Sequence, residues 1–335
     1  MARDPWFDNV KFALIAFVVF GHTIGLALVD ERNVAVYTFV YFWHMPAFVL
    51  LSGHLSRSFA WDRAHLVSLA TTLLLPYLIF DAAMYGWREY LDQPQSGPLW
   101  LEPHWSMWYL IVLAIWRLAT PILKLHWIVI PISIPLSLWA GTLDLTLFDI
   151  PKAFAMLPFF VIGLHAKRSW LTALTSWWVR PIAVVAMVWL WRSAQPESLS
   201  EWARVAFLWW DRSYDVLGFG EGESYEIRLR LLAMSLAGAL AALSLVPRRA
   251  TWFTQLGSAS LVAYLFHGFV VRYAQTAEWF DFAPDHPTGA LAVAAVGALS
   301  LTVLLTCPPV ARRLTWAVDP VGSWQRHRRA LQPTG

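Results

Sequence analysis

The stretch FALIAFVVFGHTIGLALV, residues 12–29, carries no charged side chain and one ionisable group, the imidazole of His22. An unbroken apolar run of about 18 residues or more reads as a transmembrane helix, because lipid offers no partner to an open backbone amide or carbonyl. Working outward, similar runs lie near 34–55, 66–87, 105–120, 125–141, 153–168, 177–194, 229–246, 255–275 and 289–308. The alternation of a membrane barrel is missing from all of them. The expected fold is therefore all-α, a polytopic integral membrane protein with about ten transmembrane helices, the fourth and fifth also being readable as one broken hairpin. Composition agrees. With 58% hydrophobic and 14% charged residues, the chain falls well short of the roughly 25% charge of soluble domains.

Other classes drop out on similar grounds. A net charge of +3, with basic residues in short clusters between apolar runs, does not suit nucleic acid. The single cysteine, Cys307, excludes a disulfide framework and a multi-thiolate metal site. The first run is long enough to span and lacks a convincing cleavage site, Leu26-Ala27-Leu28 being a weak one, so it is read as retained.

Orientation follows from lysine and arginine. With the amino end inside, the inner segments hold about twice as many as the outer ones, including Arg3, Lys11, Arg57, Arg63, Arg248 and Arg249, so both termini are expected in the cytoplasm. Residues 195–228 form the long outer connection. Its run Glu201-Trp202-Ala203-Arg204-Val205-Ala206-Phe207-Leu208-Trp209-Trp210 is too short to span and reads as an interfacial helix or a lid. Gly218-Phe219-Gly220-Glu221-Gly222 has no following Lys-Ser/Thr and reads as a turn, not a phosphate loop. Residues 1–320 form one transmembrane domain, and 321–335 a basic cytoplasmic tail that is either solvated or laid on anionic lipid.

Ionisable groups at mid-depth in lipid are costly and are candidate sites by default. His22, His44 and His267 all fall near the middle of the expected spans. Lys11 lies eleven residues before His22, about three turns or 16 Å along one helix face. A cation at the mouth and a base deep in the same groove suit a donor with an anionic head, while Lys11 alone also reads as a snorkelling anchor. His44 is followed by Pro46, which frees backbone groups, so a structural hydrogen bond competes with catalysis there. His267 has the same two readings, and Arg272, beyond it, either binds an anion or reaches the interface. Ser52-Gly53 is a small pair that permits close helix packing. Asp81 either orients a histidine or pairs with a cation, or makes a structural hydrogen bond. Trp105, Trp108 and Tyr109, next to His104, form an aromatic belt or a platform on which a sugar stacks. Asp8 and Asn9 read as caps of the first helix.

Taken together, these blocks resemble the membrane acyltransferase 3 family, especially its fucose 4-O-acetylase-like branch. The resemblance is carried by Arg3-Asp4-Pro5-Trp6-Phe7-Asp8-Asn9-Val10-Lys11 with Phe20-Gly21-His22, by His44-Met45-Pro46-Ala47-Phe48 through Leu51-Ser52-Gly53, and by Leu75-Pro76-Tyr77. Trp108-Tyr109-Leu110, Leu256-Gly257-Ser258 and Tyr264-Leu265-Phe266-His267 complete it. It implies a membrane enzyme that moves an acyl group, usually acetyl, from cytoplasmic acyl-CoA to a hydroxyl of a glycan, lipid-linked sugar or small molecule. His22 would be the general base or transient acyl carrier, with His44 or His267 at the oxyanion. Lys11, Arg57 and Arg63 would hold acyl-CoA, and Trp105, Trp108, Tyr109 and Asp81 the acceptor. Acyl-CoA enters as co-substrate, with no permanent cofactor, no metal and no nucleic-acid partner; the bilayer, of the plasma membrane, is the standing partner. Two departures stand out: Lys11 replaces the usual arginine, and Leu69-Ala70-Thr71-Thr72-Leu73 stands where many members carry Arg-x-x-Arg. The competing reading is a transporter or channel whose histidines relay protons without covalent chemistry.

Overall fold

The computed structural model describes residues 4–94 and 97–330; Arg3 and the tail beyond 330 lie outside the described residues. Helix α1, Pro5–Ile24, starts where the Asp4 side chain accepts the Trp6 amide at 3.1 Å and Pro5 fills the first turn. Asp4 is thus the cap, and the expectation for Asp8 and Asn9 is corrected. Asn9 is instead a buried clasp. Its Nδ2 donates to the carbonyls of Pro247 and Arg249 at 2.8 and 2.9 Å, and its Oδ1 accepts from Thr251 and Thr254 at 3.1 and 2.6 Å. Because α1 begins and ends earlier than the hydropathy run, His22 occupies its last turn rather than its middle.

The remaining long helices are α2, Glu31–Leu55; α3, Arg63–Tyr90; and α4, Trp105–Leu123. They are followed by the shorter α5, Val129–Ala140, and by two bent pairs. The pairs are α6, Ile150–Ala155, with α7, Leu157–His165, and α8, Arg168–Leu174, with α9, Val179–Ser193. Then come α10, Glu221–Leu245; α11, Ser260–Thr276; α12, Pro287–Thr306; α13, Pro308–Val318; and α14, Pro320–Ala330. No strand occurs among the described residues. Residues 321–330 of the expected tail belong to helix α14.

Among the described residues six helices are long and apolar enough to cross a membrane, or up to eight if each bent pair is one crossing. The difference from ten arises at two places. Helix α5 has 12 residues, about 18 Å against a hydrocarbon core of about 30 Å. Helix α11 has 17, preceded by a tight turn over Leu256–Ala259. The bundle's outer surface is nonetheless apolar: Ile182, Val184, Val185 and Val188 of α9 and Val293, Val296 and Leu299 of α12 are all exposed. Water tolerates no such continuous face, and lipid does.

Helix α2 is central, packing on α1, α7, α9 and α10. Its closest approach is to α7, where a Cβ at Gly53 would strike the Phe160 carbonyl and one at Gly163 the Leu50 carbonyl. The Ser52-Gly53 pair does permit close packing, and Ser52 also hydrogen-bonds the Tyr109 hydroxyl. In α3 the stretch Ala70–Leu74 forms a π turn. Thr71 and Thr72 there return their hydroxyls to the carbonyls of Val67 and Ser68 at 2.9 and 2.7 Å.

The segment between α9 and α10 folds back over the bundle. The Tyr214 amide donates to the Gly141 carbonyl and its hydroxyl to the Leu138 carbonyl, both at 2.7 Å, while Trp209 Nε1 donates to the Tyr37 hydroxyl at 3.0 Å. Burial pushes the Tyr214 phenol up, so that it stays protonated and donating. These ties make the segment a pinned cover.

Candidate active site

The three histidines come from α1, α2 and α11. His22 packs against the Trp105 ring at 4.4 Å between centroids and against His267 at 5.3 Å. On α2, Tyr37, Tyr41 and His44 recur at helical spacing and form one stripe, with Tyr37 stacked on Tyr41 at 4.0 Å and Tyr41 edge-on to His44 at 4.8 Å. His44 Nδ1 lies 2.8 Å from the Val40 carbonyl, and His267 Nδ1 lies 2.7 Å from that of Tyr264. A carbonyl only accepts, so in each ring Nδ1 carries the proton and Nε2 presents a lone pair. As neutral rings, neither has an Nε2–H to offer an oxyanion. With Nδ1 so engaged, the expected oxyanion role of His44 or His267 calls for the protonated ring, which carries an Nε2–H. His267 Nε2 is buried without a hydrogen-bond partner among the described residues.

Two cavities meet at His22. The first, about 260 Å³, is lined by His22, His44, Met45, Trp105, Ser106, Trp108, Lys152, Met156 and Tyr264, with Trp209, Trp210 and Asp211 of the cover closing it. Lys152 Nζ lies 3.1 Å from Asp211 and 3.7 Å from Asp149, and sits 4.5 Å over the Trp108 ring. The second cavity, about 240 Å³, is lined by His22, Gly25, Tyr37, Tyr41, Trp105, Arg272 and Gln275. His22, Tyr37, Tyr41 and Trp105 belong to both walls.

Trp105 is held unusually tightly. Its backbone has φ of 54°, a left-handed conformation that costs a non-glycine residue of order 1 kcal/mol or more. A Cβ on Gly268 would strike its ring, so α11 approaches it only because that position is bare.

The residues expected at an acceptor site separate. Trp105 and Trp108 line the cavities; Tyr109 and Asp81 line neither. Asp81 is fully buried and accepts the backbone amides of Trp100 and His104 at 3.1 and 2.7 Å, with the His104 ring 3.0 Å away. It fixes the turn that delivers Trp105 and stands beside the His104 ring, so the structural hydrogen bond and the histidine contact of its readings occur together.

The expected acyl-CoA cations separate too. Arg57 lines a cavity of about 440 Å³ at the opposite end of α1, together with Asp4, Phe7, His54 and Arg168. Lys11 is paired with Asp8 at 2.9 Å, one turn along from Phe7. Arg63 opens α3 and is exposed, outside that wall. Where the arginine motif is missing, Thr72 shares a further cavity with Arg312 of α13.

Sequence reading missed Lys152, Asp211, Tyr37, Tyr41 and the Ser106 hydroxyl, which has no hydrogen-bond partner among the described residues. The spacing of 37, 41 and 44 and a lone lysine between Pro151 and an apolar run were the available signals. Among the described residues no three His, Cys, Asp or Glu side chains are grouped to hold a metal.

An apolar-surfaced helical bundle with a histidine site where two cavities meet defines an integral membrane protein. The family model of the acyltransferase domain, acyltransferase 3, matches residues 4–307, and the chain belongs to that family. It is an acyltransferase, and the transporter reading gives way to that. No curated protein and no solved structure matches the chain.

Proposed function

We propose that the protein moves an acyl group, acetyl in the simplest case, from cytoplasmic acyl-CoA to a hydroxyl of a sugar, glycan or small-molecule acceptor. The observation that carries this reading is the position of His22, which alone of the three histidines belongs to both cavity walls. One base between two chambers suits a two-substrate transfer. The first cavity extends one turn towards the amino end of α1, to Val18 and Met45. The second extends the other way, to Gly25 and Gln275. With the termini and the Arg57 cavity on the cytoplasmic side of a plasma membrane, the thioester enters the first chamber and the acceptor the second. The likeness to the fucose 4-O-acetylase-like branch favours a sugar hydroxyl. Helices α5 and α11 complete a ten-crossing bundle if the bilayer thins around them.

At the donor's other end, Arg57 and Arg168 supply the cations for the CoA phosphates, with Lys11 adding charge beside Phe7. Arg63 remains a candidate for the same role.

In the transfer, His22 removes the proton from the acceptor hydroxyl, whose oxygen attacks the thioester carbonyl carbon. The carbon–oxygen bond forms and the carbonyl oxygen takes the negative charge. Two buried donors without partners among the described residues, Ser106 Oγ and Trp210 Nε1, belong to residues of the first wall and suit that oxyanion. Collapse breaks the carbon–sulfur bond, and the CoA thiolate recovers the proton from His22. An acyl-imidazole on His22 is the alternative order of the same steps, and rapid-quench labelling separates the two by the presence or absence of acylated protein.

The reading is tested with purified full-length protein and radiolabelled acetyl-CoA. Thioester turnover is expected to fall at least about hundredfold in His22→Ala while size-exclusion behaviour stays the same. Full turnover in that variant would remove His22 from the mechanism.

A further inference from the structure

The two chambers beside His22 differ in charge. In the first, the ammonium of Lys152 is answered by Asp211 at 3.1 Å. The second contains Arg272 and no Asp or Glu, and no carboxylate among the described residues lies within ion-pair distance of its guanidinium. Arg272 Nη1 donates to Gln275 Oε1 at 2.9 Å, its guanidinium lies 5.0 Å from the centre of the Trp105 ring, and its Nε is buried without a hydrogen-bond partner among the described residues. A snorkelling arginine would carry its donors out to water and headgroups. This one is stacked on the Trp105 ring, with its Nε enclosed and without a hydrogen-bond partner among the described residues.

We propose that this chamber is an oxyanion subsite, and that the acceptor carries a carboxylate or phosphate beside the hydroxyl to be acylated. The proposal rests on the acyl-transfer reading of His22 and names the substrate class for it. A planar guanidinium with free donors matches the two oxygens of a carboxylate or phosphate. The ring of Trp105 fixes the guanidinium from one side, and Gln275 holds its edge. At about 240 Å³ the chamber lies below the roughly 300–1,000 Å³ of sites for drug-sized ligands, which suits one charged monosaccharide unit. With its anion on Arg272, such a unit has a neighbouring hydroxyl to present to His22, since both residues share the wall. The anion thereby selects the acceptor and sets which hydroxyl reacts.

The test is thermal stabilisation of the detergent-solubilised full chain by glucose, glucuronate and glucose 6-phosphate at constant ionic strength, without acyl donor. Glucuronate or glucose 6-phosphate should stabilise the protein saturably and glucose should not; the stronger of the two anions identifies carboxylate or phosphate. Arg272→Gln should weaken that binding about tenfold or more, with Arg272→Lys between the two because it keeps the charge and loses the fork. The proposal is overturned if neither anion stabilises the wild-type protein, or if Arg272→Gln binds them undiminished. A protein that binds the anions through Arg272 but consumes no acetyl-CoA would keep the subsite and lose the acyl-transfer reading, so the two failures are distinct.

Discussion

The two ends of α1 are built from similar residue types and behave differently. At the amino end, Asp4 caps the helix and also meets Arg248 at 2.5 Å, while Asn9 makes four hydrogen bonds to the loop between α10 and α11. Every polar atom of that asparagine side chain has a partner. At the carboxyl end, His22 is held by the rings of Trp105 and His267, and around it His267 Nε2, Ser106 Oγ and Arg272 Nε have none among the described residues. Buried polar groups left unpaired cost stability; near Asp4 and Asn9 only the Trp6 Nε1 of α1 is left so among the described residues, whereas three such atoms gather around the one imidazole. The contrast teaches that the polar residues of α1 divide into a clasp that holds the fold and a site that waits for ligands.

The sharpest way to break this division is His22→Ala. Activity should drop about 10²- to 10⁴-fold, about 3–5.5 kcal/mol of barrier, with the melting temperature within a degree or two of wild type. A large loss of stability would place His22 with the clasp. Asn9→Ala is the mirror experiment. It removes all four bonds of a fully buried side chain to part-buried carbonyls and hydroxyls, at roughly 0.5–1.5 kcal/mol for each bond lost, so denaturation in detergent should shift markedly while turnover per folded molecule is kept. Arg57→Gln is expected to raise KM for acetyl-CoA several-fold with little change in kcat, as loss of a binding cation does; an unchanged KM would sever the far cavity from the donor. The smallest effect belongs to Lys11→Gln. Its pair with Asp8 lies within one turn of a helix and is partly open to solvent, so less than about 1 kcal/mol of stability is at stake, and the rise in KM should be smaller than for Arg57→Gln.

How much was legible in the chain depends on range. Helix positions follow from hydropathy because each crossing satisfies its own backbone, a local condition. Boundaries do not. The amphipathic start Pro5–Lys11 lies outside the apolar run yet is helical, capped by Asp4, and this moved His22 from mid-helix to the last turn. Length alone also overstates α5, whose apolar run opens near 125 but whose helix opens at Val129. Asp81 illustrates a further gap: an acid in an apolar helix signals a special role, but only the turn folded against it shows that its partners are two backbone amides.

By itself the sequence determined the solvent of this protein, its all-helical class and the candidacy of its histidines, because charge density and apolar runs are fixed by composition and local spacing. Tertiary structure decided which polar groups are spent and which are free. Trp105 reaches His22 from another helix, and Lys152 is neutralised by Asp211 from the cover. Such pairings join residues far apart in the chain. No local pattern encodes them, since they depend on how helices meet where Gly53, Gly163 and Gly268 let backbones and rings come close.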